Sequence, residues 1–169
     1  PNVQRVLEIG CGKFPLTDDV VCGSWIGLET DPEATIYLRG LGLRVANSAR
    51  EILREDMQAD LVVSLFCMQF PIEKEELALL GQLPDEAIVM FNLPTRDSSL
   101  LERRLSSLLD CGLEPHVLNL QATGSRDVIV VAGRPMAEDI LGLVRKNVLE
   151  QAMAEWPSAK PHLKWSKHE

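Results

Sequence analysis

Val6-Leu7-Glu8-Ile9-Gly10-Cys11-Gly12-Lys13-Phe14 carries an apolar run of strand length straight into two glycines one residue apart. Glycine lets a backbone take positive φ and approach a ligand with no Cβ in the way. A single carboxylate, Glu8, sits inside the run, two positions before the first glycine. Burying an acid in apolar surroundings is costly unless it finds a partner. Amides of the glycine loop, or the ammonium of a bound aminoacyl group, would supply one.

Outward from this stretch, short apolar segments alternate with helical patterns. Val6–Ile9, Trp25–Leu28, Leu43–Ala46, Leu61–Phe66 and Ala87–Phe91 have the length and Val/Ile/Leu content of buried strands. Pro32–Leu41, Ser48–Met57, Glu73–Leu83 and Asp97–Leu109 between them carry apolar residues at helical spacing. Asp31 then Pro32 is an N-cap followed by proline at the first helical position, and Gly112 stands where the last of these helices would stop. Such alternation predicts an α/β fold, a doubly wound Rossmann-like sheet of five parallel strands. His116–Ala122 and Asp127–Ala132, parted by Thr-Gly-Ser, read as an antiparallel hairpin closing the sheet. Beyond Pro135, Ala137–Trp156 is an amphipathic helix, with Ile140, Leu141, Val144 and Val148 on one face. Packing against the sheet's own helices is the expected use of that face. A protein partner or a second copy of the chain is the other.

The 169 residues fit one domain, with 1–135 as the sheet-forming unit and 136–169 as a helix and tail packed on it. A net charge of −8 repels phosphate backbones, which excludes bare nucleic acid as a default partner. The tail is locally basic (Lys160, Lys164, Lys167) and reads as a frayed, solvated terminus. Four scattered cysteines without a C-x-x-C pair argue against structural zinc and disulfides, so a reduced cytoplasmic protein without a metal is expected. No apolar run approaches the roughly 18 residues of a membrane span, and no signal-peptide pattern opens the chain. The first strand begins abruptly, within a few residues of Pro1, as in an excised domain.

At the carboxyl end of the first strand of an open α/β sheet, a glycine loop is where nucleotides bind. Glu29, at the end of the second strand, follows the glycines by about 20 residues, the spacing of an acid that accepts from a ribose diol. A nicotinamide dinucleotide fingerprint would need a third glycine at position 15, which is Pro15.

E-I-G-C-G (8–12) together with G-L-E-T-D-P-E (27–33) resembles motif I and the acidic loop of the class I S-adenosylmethionine (SAM)-dependent methyltransferases. Asp60–Leu65 resembles that family's fourth strand, and the terminal hairpin its closing antiparallel pair. The likeness runs over Val6–Pro135. It implies the class I methyltransferase fold, SAM as cofactor and methyl transfer to an acceptor, here a small molecule. It further implies that Glu8, Gly10, Cys11 and Gly12 line the methionine side and that Glu29 binds the ribose hydroxyls. Thr30 would lie beside the adenine, Ser48 would bind the adenine amine and Ser64 would face the methionyl group. Phe66 to Phe70 would form the mouth, with Gln69, Asp97 and His116 as candidate catalytic residues.

The sequence also departs from the family. Phe14 replaces a third glycine, the long helix that normally follows the loop is missing, and Ser48 stands in place of an acid. No lid-forming helices or insertion are seen, and S-L-F-C-M-Q-F replaces the N-P-P-Y kind of acceptor motif after strand four, against methylation of nucleic-acid bases. Methyl transfer to a small molecule is the leading reading; the missing lid, Phe14 and Ser48 support the alternative, a non-catalytic, methyltransferase-like interaction or regulatory module.

Overall fold

The computed structural model describes residues 3–18, 22–54, 58–65, 74–94, 98–120, 123, 125 and 127–167. Five strands run parallel: Arg5–Ile9 (β1), Ser24–Leu28 (β2), Val45–Ala46 (β3), Leu61–Ser64 (β4) and Ile88–Pro94 (β5). The helices Pro32–Gly40 (α1), Ala49–Arg54 (α2), Lys74–Gly81 (α3) and Ser98–Asp110 (α4) follow β2 to β5 in turn. Glu114–Asn119 (β6) and Asp127–Gly133 (β7) form the antiparallel pair. The helix Glu138–Glu155 (α5) and the strand Trp165–Lys167 (β8) follow.

The sheet order is β3-β2-β1-β4-β5-β7-β6-β8. Strand order reverses at β1, which lies between β2 and β4, and such a switch point opens a crevice at the carboxyl edge of a sheet. Registers Ile9↔Leu28, Leu28↔Ala46 and Ser64↔Phe91 align the ends of β1 to β4 with the later half of β5 along that one edge.

Alternation along the strands sorts the core into two layers. Leu7, Val62, Val89, Phe91 and Val130 face the layer shared with α2, α3 and α4, through Ile52, Leu80 and Leu108 among others. Ile88 and Val131 face the other side, where Leu141 of α5 packs. On that side, too, Leu38 of α1 meets Val45 and Cys11. The cap read from the sequence is present: Asp31 Oδ1 accepts from the Glu33 amide at 2.9 Å, with Pro32 opening α1. Gly112 ends α4 at φ 75°, a conformation glycine adopts without strain.

The abbreviated first helix is present as expected: among the described residues a single 3-10 turn, Leu16–Asp18, follows the glycine loop before β2. Other expectations change. Among the described residues the C-terminal helix packs directly on the sheet rather than on the helices that follow β3 to β5. With α2, α3 and α4 on the opposite face, α5 covers Ile88 and Val131 itself. The basic tail is not frayed through 165–167: Trp165 to Lys167 pair with Leu118 to His116 as β8. β6 begins at Glu114, two residues before the expected start, and the 121–122 end of that reading lies outside the described residues.

At the opposite edge, Asp60 fastens β4 to the start of β1. Its Oδ2 accepts from the amides of Gln4 (3.0 Å) and Arg5 (2.8 Å), and its Oδ1 from Arg5 Nη2 (3.0 Å). Burial would raise its pKa, but the Arg5 side chain and the two amides outweigh burial and hold it below the ordinary value. The Asp60 clasp is therefore present at neutral pH and is lost as acid protonates the group below its unfolded value of 3.8. Asp60→Asn is expected to lower stability by about 1 kcal/mol at pH 7 and to flatten that part of the acid limb. Urea unfolding at a series of pH values checks both.

Candidate functional site

The glycine loop leaves the end of β1 with Gly10 at φ 69° and Gly12 at φ 56°. The Gly10 amide donates to Leu28 O at 2.7 Å, continuing the β1–β2 ladder one residue past the strand. At Gly12 a Cβ would meet no heavy atom within 4 Å, so the loop borders open space.

Glu29 closes the loop from the neighbouring strand. Its Oε2 accepts from the Gly12 amide at 2.7 Å and its Oε1 from the Asp31 amide at 2.8 Å, with the residue only 9% exposed. The two acids at the strand ends therefore divide the work. Glu8, 4% exposed, takes the Leu16 amide (2.8 Å) and the Trp25 indole Nε1–H (3.0 Å) on its Oε2. The expected need for a partner is thus met by protein groups. The sequence reading named amides of the glycine loop; Leu16 lies four residues past Gly12, opening the 3-10 turn, and the indole of Trp25 was not foreseen. Trp25 sits two positions before Gly27 on β2, and Gly27 pairs with Glu8 across the β1–β2 ladder.

Cys11 is buried with Leu38 and Val45, so its thiol packs against α1 and only its backbone faces the crevice. Thr30 is exposed directly after Glu29, and Ser48 stands half-buried after the end of β3. The local turn is held by the Glu51 carboxylate, which accepts from the Asn47 amide at 3.0 Å. Ser64 ends β4 at 2% exposure, in a cavity of about 10 Å3 with Ile9, Glu76 and Phe91. Its side chain points to the α3 side, as Val62 does, and among the described residues its Oγ has no hydrogen-bond partner. Phe14 is 93% exposed beside the loop.

Of the candidate catalytic residues, Gln69 and Asp97 lie outside the described residues, as do Phe66 to Phe70. His116 lies elsewhere, buried in β6 at 5% exposure. Its Nδ1 accepts from Arg145 Nη1 of α5 at 2.7 Å, and Arg145 Nη2 reaches Glu138 Oε1 at 2.6 Å. Burial first, then the Arg145 charge, push its pKa below 6.5. The imidazole is neutral at pH 7 and fixes α5. Its unfolded form takes a proton first, so stability is expected to fall as pH drops below about 6.5. His116→Gln should remove that part of the decline below about pH 6.5. Denaturant midpoints of both proteins at a series of pH values below and above about 6.5 are the check.

A second opening lies further along the same edge. A cavity of about 630 Å3 extends from Leu65, just past β4, across Met90 and Asn92 of β5 to Asp127 and Ile129 of β7. Asn147, Val148, Gln151, Ala152, Glu155 and Trp156 of the α5 segment form its roof. No group of His, Cys, Asp and Glu among the described residues could hold a metal ion. No helix among them is long and apolar enough to cross a membrane.

No protein-family model matches the sequence, and no curated protein matches it. Solved structures do. A TehB-like SAM-dependent methyltransferase from Corynebacterium glutamicum superposes with a TM-score of 0.62 at 18% identity, covering 79% of this chain and 82% of its own. The N-methyltransferase NodS from Bradyrhizobium japonicum gives 0.57 at 16%, covering 79% and 87%. Fibrillarin from Aeropyrum pernix, with natively bound SAM, gives 0.56 at 16%, covering 78% and 66%. With its switch at β1 and its antiparallel β7 set between β5 and β6, the chain has the class I methyltransferase fold.

Proposed function

We propose that the chain is a SAM-dependent methyltransferase acting on a small-molecule acceptor. The observation that carries this reading is the Glu29–Gly12 bridge: a buried carboxylate held at the mouth of a positive-φ glycine loop that borders open space. A carboxylate has about four acceptor positions, and two are taken by amides, so two remain for a ribose diol. Gly10 and Gly12 would let the backbone approach the methionine side, and Glu8 would fix the loop through Leu16 and Trp25 without touching the ligand. Thr30 and Ser48 would border the adenine. Ser64, turned towards α3, would reach the methionyl group only after changing rotamer. When bound, SAM supplies a methyl group already activated on a sulfonium. The chain's own task is then alignment of the acceptor. The natively bound SAM of the fibrillarin supports a nucleoside ligand for this fold.

One observation favours a non-catalytic module instead. Both acids of the loop are already hydrogen-bonded by the protein, so the loop stands without a ligand. Calorimetric titration with SAM and, separately, S-adenosylhomocysteine separates the readings. Micromolar binding of either supports the enzyme. Failure of the folded protein to bind both at millimolar ligand would sink it.

A further inference from the structure

We infer that the 630 Å3 cavity under α5 receives the methyl acceptor, and that this acceptor is an apolar amine. The inference rests on the methyltransferase reading above and adds the substrate class. Its volume is that of a small-molecule site. Its position fits as well: Leu65 follows the end of β4, which neighbours β1 and its glycine loop, while Asn92 and Asp127 place the rest of the cavity beside it.

The chemistry of the walls narrows the ligand. Met90 and Ile129 come from the sheet face that α5 covers, and Val148, Ala152 and Trp156 close over them, so the body of the ligand is apolar. The charged groups lining the cavity among the described residues are two carboxylates, Asp127 and Glu155, with neither lysine nor arginine beside them there. Asp127 Oδ2 accepts from Ser125 Oγ at 3.3 Å and Glu155 Oε1 from Gln151 Nε2 at 3.3 Å. Both bonds are long and come from neutral donors, and each carboxylate keeps acceptor capacity for a cationic donor. A carboxylate or phosphate on the ligand would be repelled. An ammonium would be drawn to the same end by both acids, and an aromatic face such as Trp156 also favours a cation.

For transfer, the bound ammonium first gives one proton to water and becomes the free base. Its nitrogen lone pair then forms the new N–C bond, the sulfur–methyl bond breaks with its electron pair left on sulfur, and the product leaves as the methylated ammonium.

The test uses three isosteric probes on the full chain: 4-phenylbutylamine, 4-phenylbutanol and 4-phenylbutyrate, titrated by calorimetry and by tryptophan fluorescence. The amine is expected to bind about tenfold tighter than the alcohol, and the acid weakest. The double variant Asp127→Asn/Glu155→Gln should erase the preference for the amine while leaving alcohol binding intact. Ala152→Phe, which fills the cavity, should abolish binding of both. Trp156→Phe should silence the fluorescence change but not the heat. Equal affinity for the three probes, a preference for the acid, or full binding by Ala152→Phe would overturn the inference. The same samples are titrated with S-adenosylhomocysteine. Absence of amine binding in a protein that binds this nucleoside removes the amine site and leaves the methyltransferase reading. Amine binding in a protein that rejects the nucleoside removes the acceptor role.

Discussion

Glu29→Ala is expected to weaken S-adenosylhomocysteine binding roughly 5- to 150-fold, a cost of about 1–3 kcal/mol. Two losses combine. The proposed ribose hydroxyls lose their acceptor, and the amides of Gly12 and Asp31 lose the carboxylate that now holds them at 2.7 and 2.8 Å. Glu29→Gln keeps the shape and one carbonyl oxygen, so it should fall between alanine and the parent. Calorimetry on both variants, with circular dichroism to confirm folding, measures the effect. Unchanged affinity in Glu29→Ala would place the cofactor elsewhere.

Gly27→Val should destabilise the fold by about 3 kcal/mol, the upper end of what overpacking costs. A Cβ at this position would stand 2.6 Å from Trp25 Cη2 and 2.7 Å from Cys11 Sγ. Neither neighbour can withdraw easily. The indole is tethered to Glu8 at 3.0 Å, and the thiol is enclosed by Leu38 and Val45. Displacing the ring would also free Glu8, so this variant should lose nucleoside affinity along with stability. Gly40→Ala is the control: nothing lies within 4 Å of its Cβ, and in α1 it should be neutral or slightly stabilising. Urea unfolding of the two variants, together with Gly27→Val/Cys11→Ala, tests the clash. A double variant no more stable than Gly27→Val would mean that Cys11 is not part of it.

Strand and helix order was legible because each buried strand is a run of Val, Ile and Leu and each crossover helix has a periodic apolar face. The α1 cap and the Gly112 stop could be read from single residues, since their chemistry is local. The role of the tail could not: β8 exists because Trp165 and its neighbours find β6, a pairing some 50 residues away in sequence that no local pattern announces. The same limit applies at the site. Glu8 and Glu29 stood out as acids at strand ends, yet the indole partner of Glu8 is on another strand. His116 looked like a candidate base because its burial under Arg145 depends on where α5 lands. The cavity roof could have been suspected from Asn147, Gln151 and Glu155, polar residues four apart beside the apolar stripe of α5.

Among the described residues, β8 is the outermost strand of the sheet and pairs with β6 on one side, leaving an outer row of backbone donors and acceptors that no other described strand pairs. Such an edge is a template for a neighbour's strand. Lys164 and Lys167 are both exposed at this edge, with Lys167 anchored on Glu114 at 2.5 Å. Two molecules meeting edge to edge would set lysine against lysine and strip water from both. A positive charge beside an open strand edge is thus set against its pairing with the same edge of a second molecule.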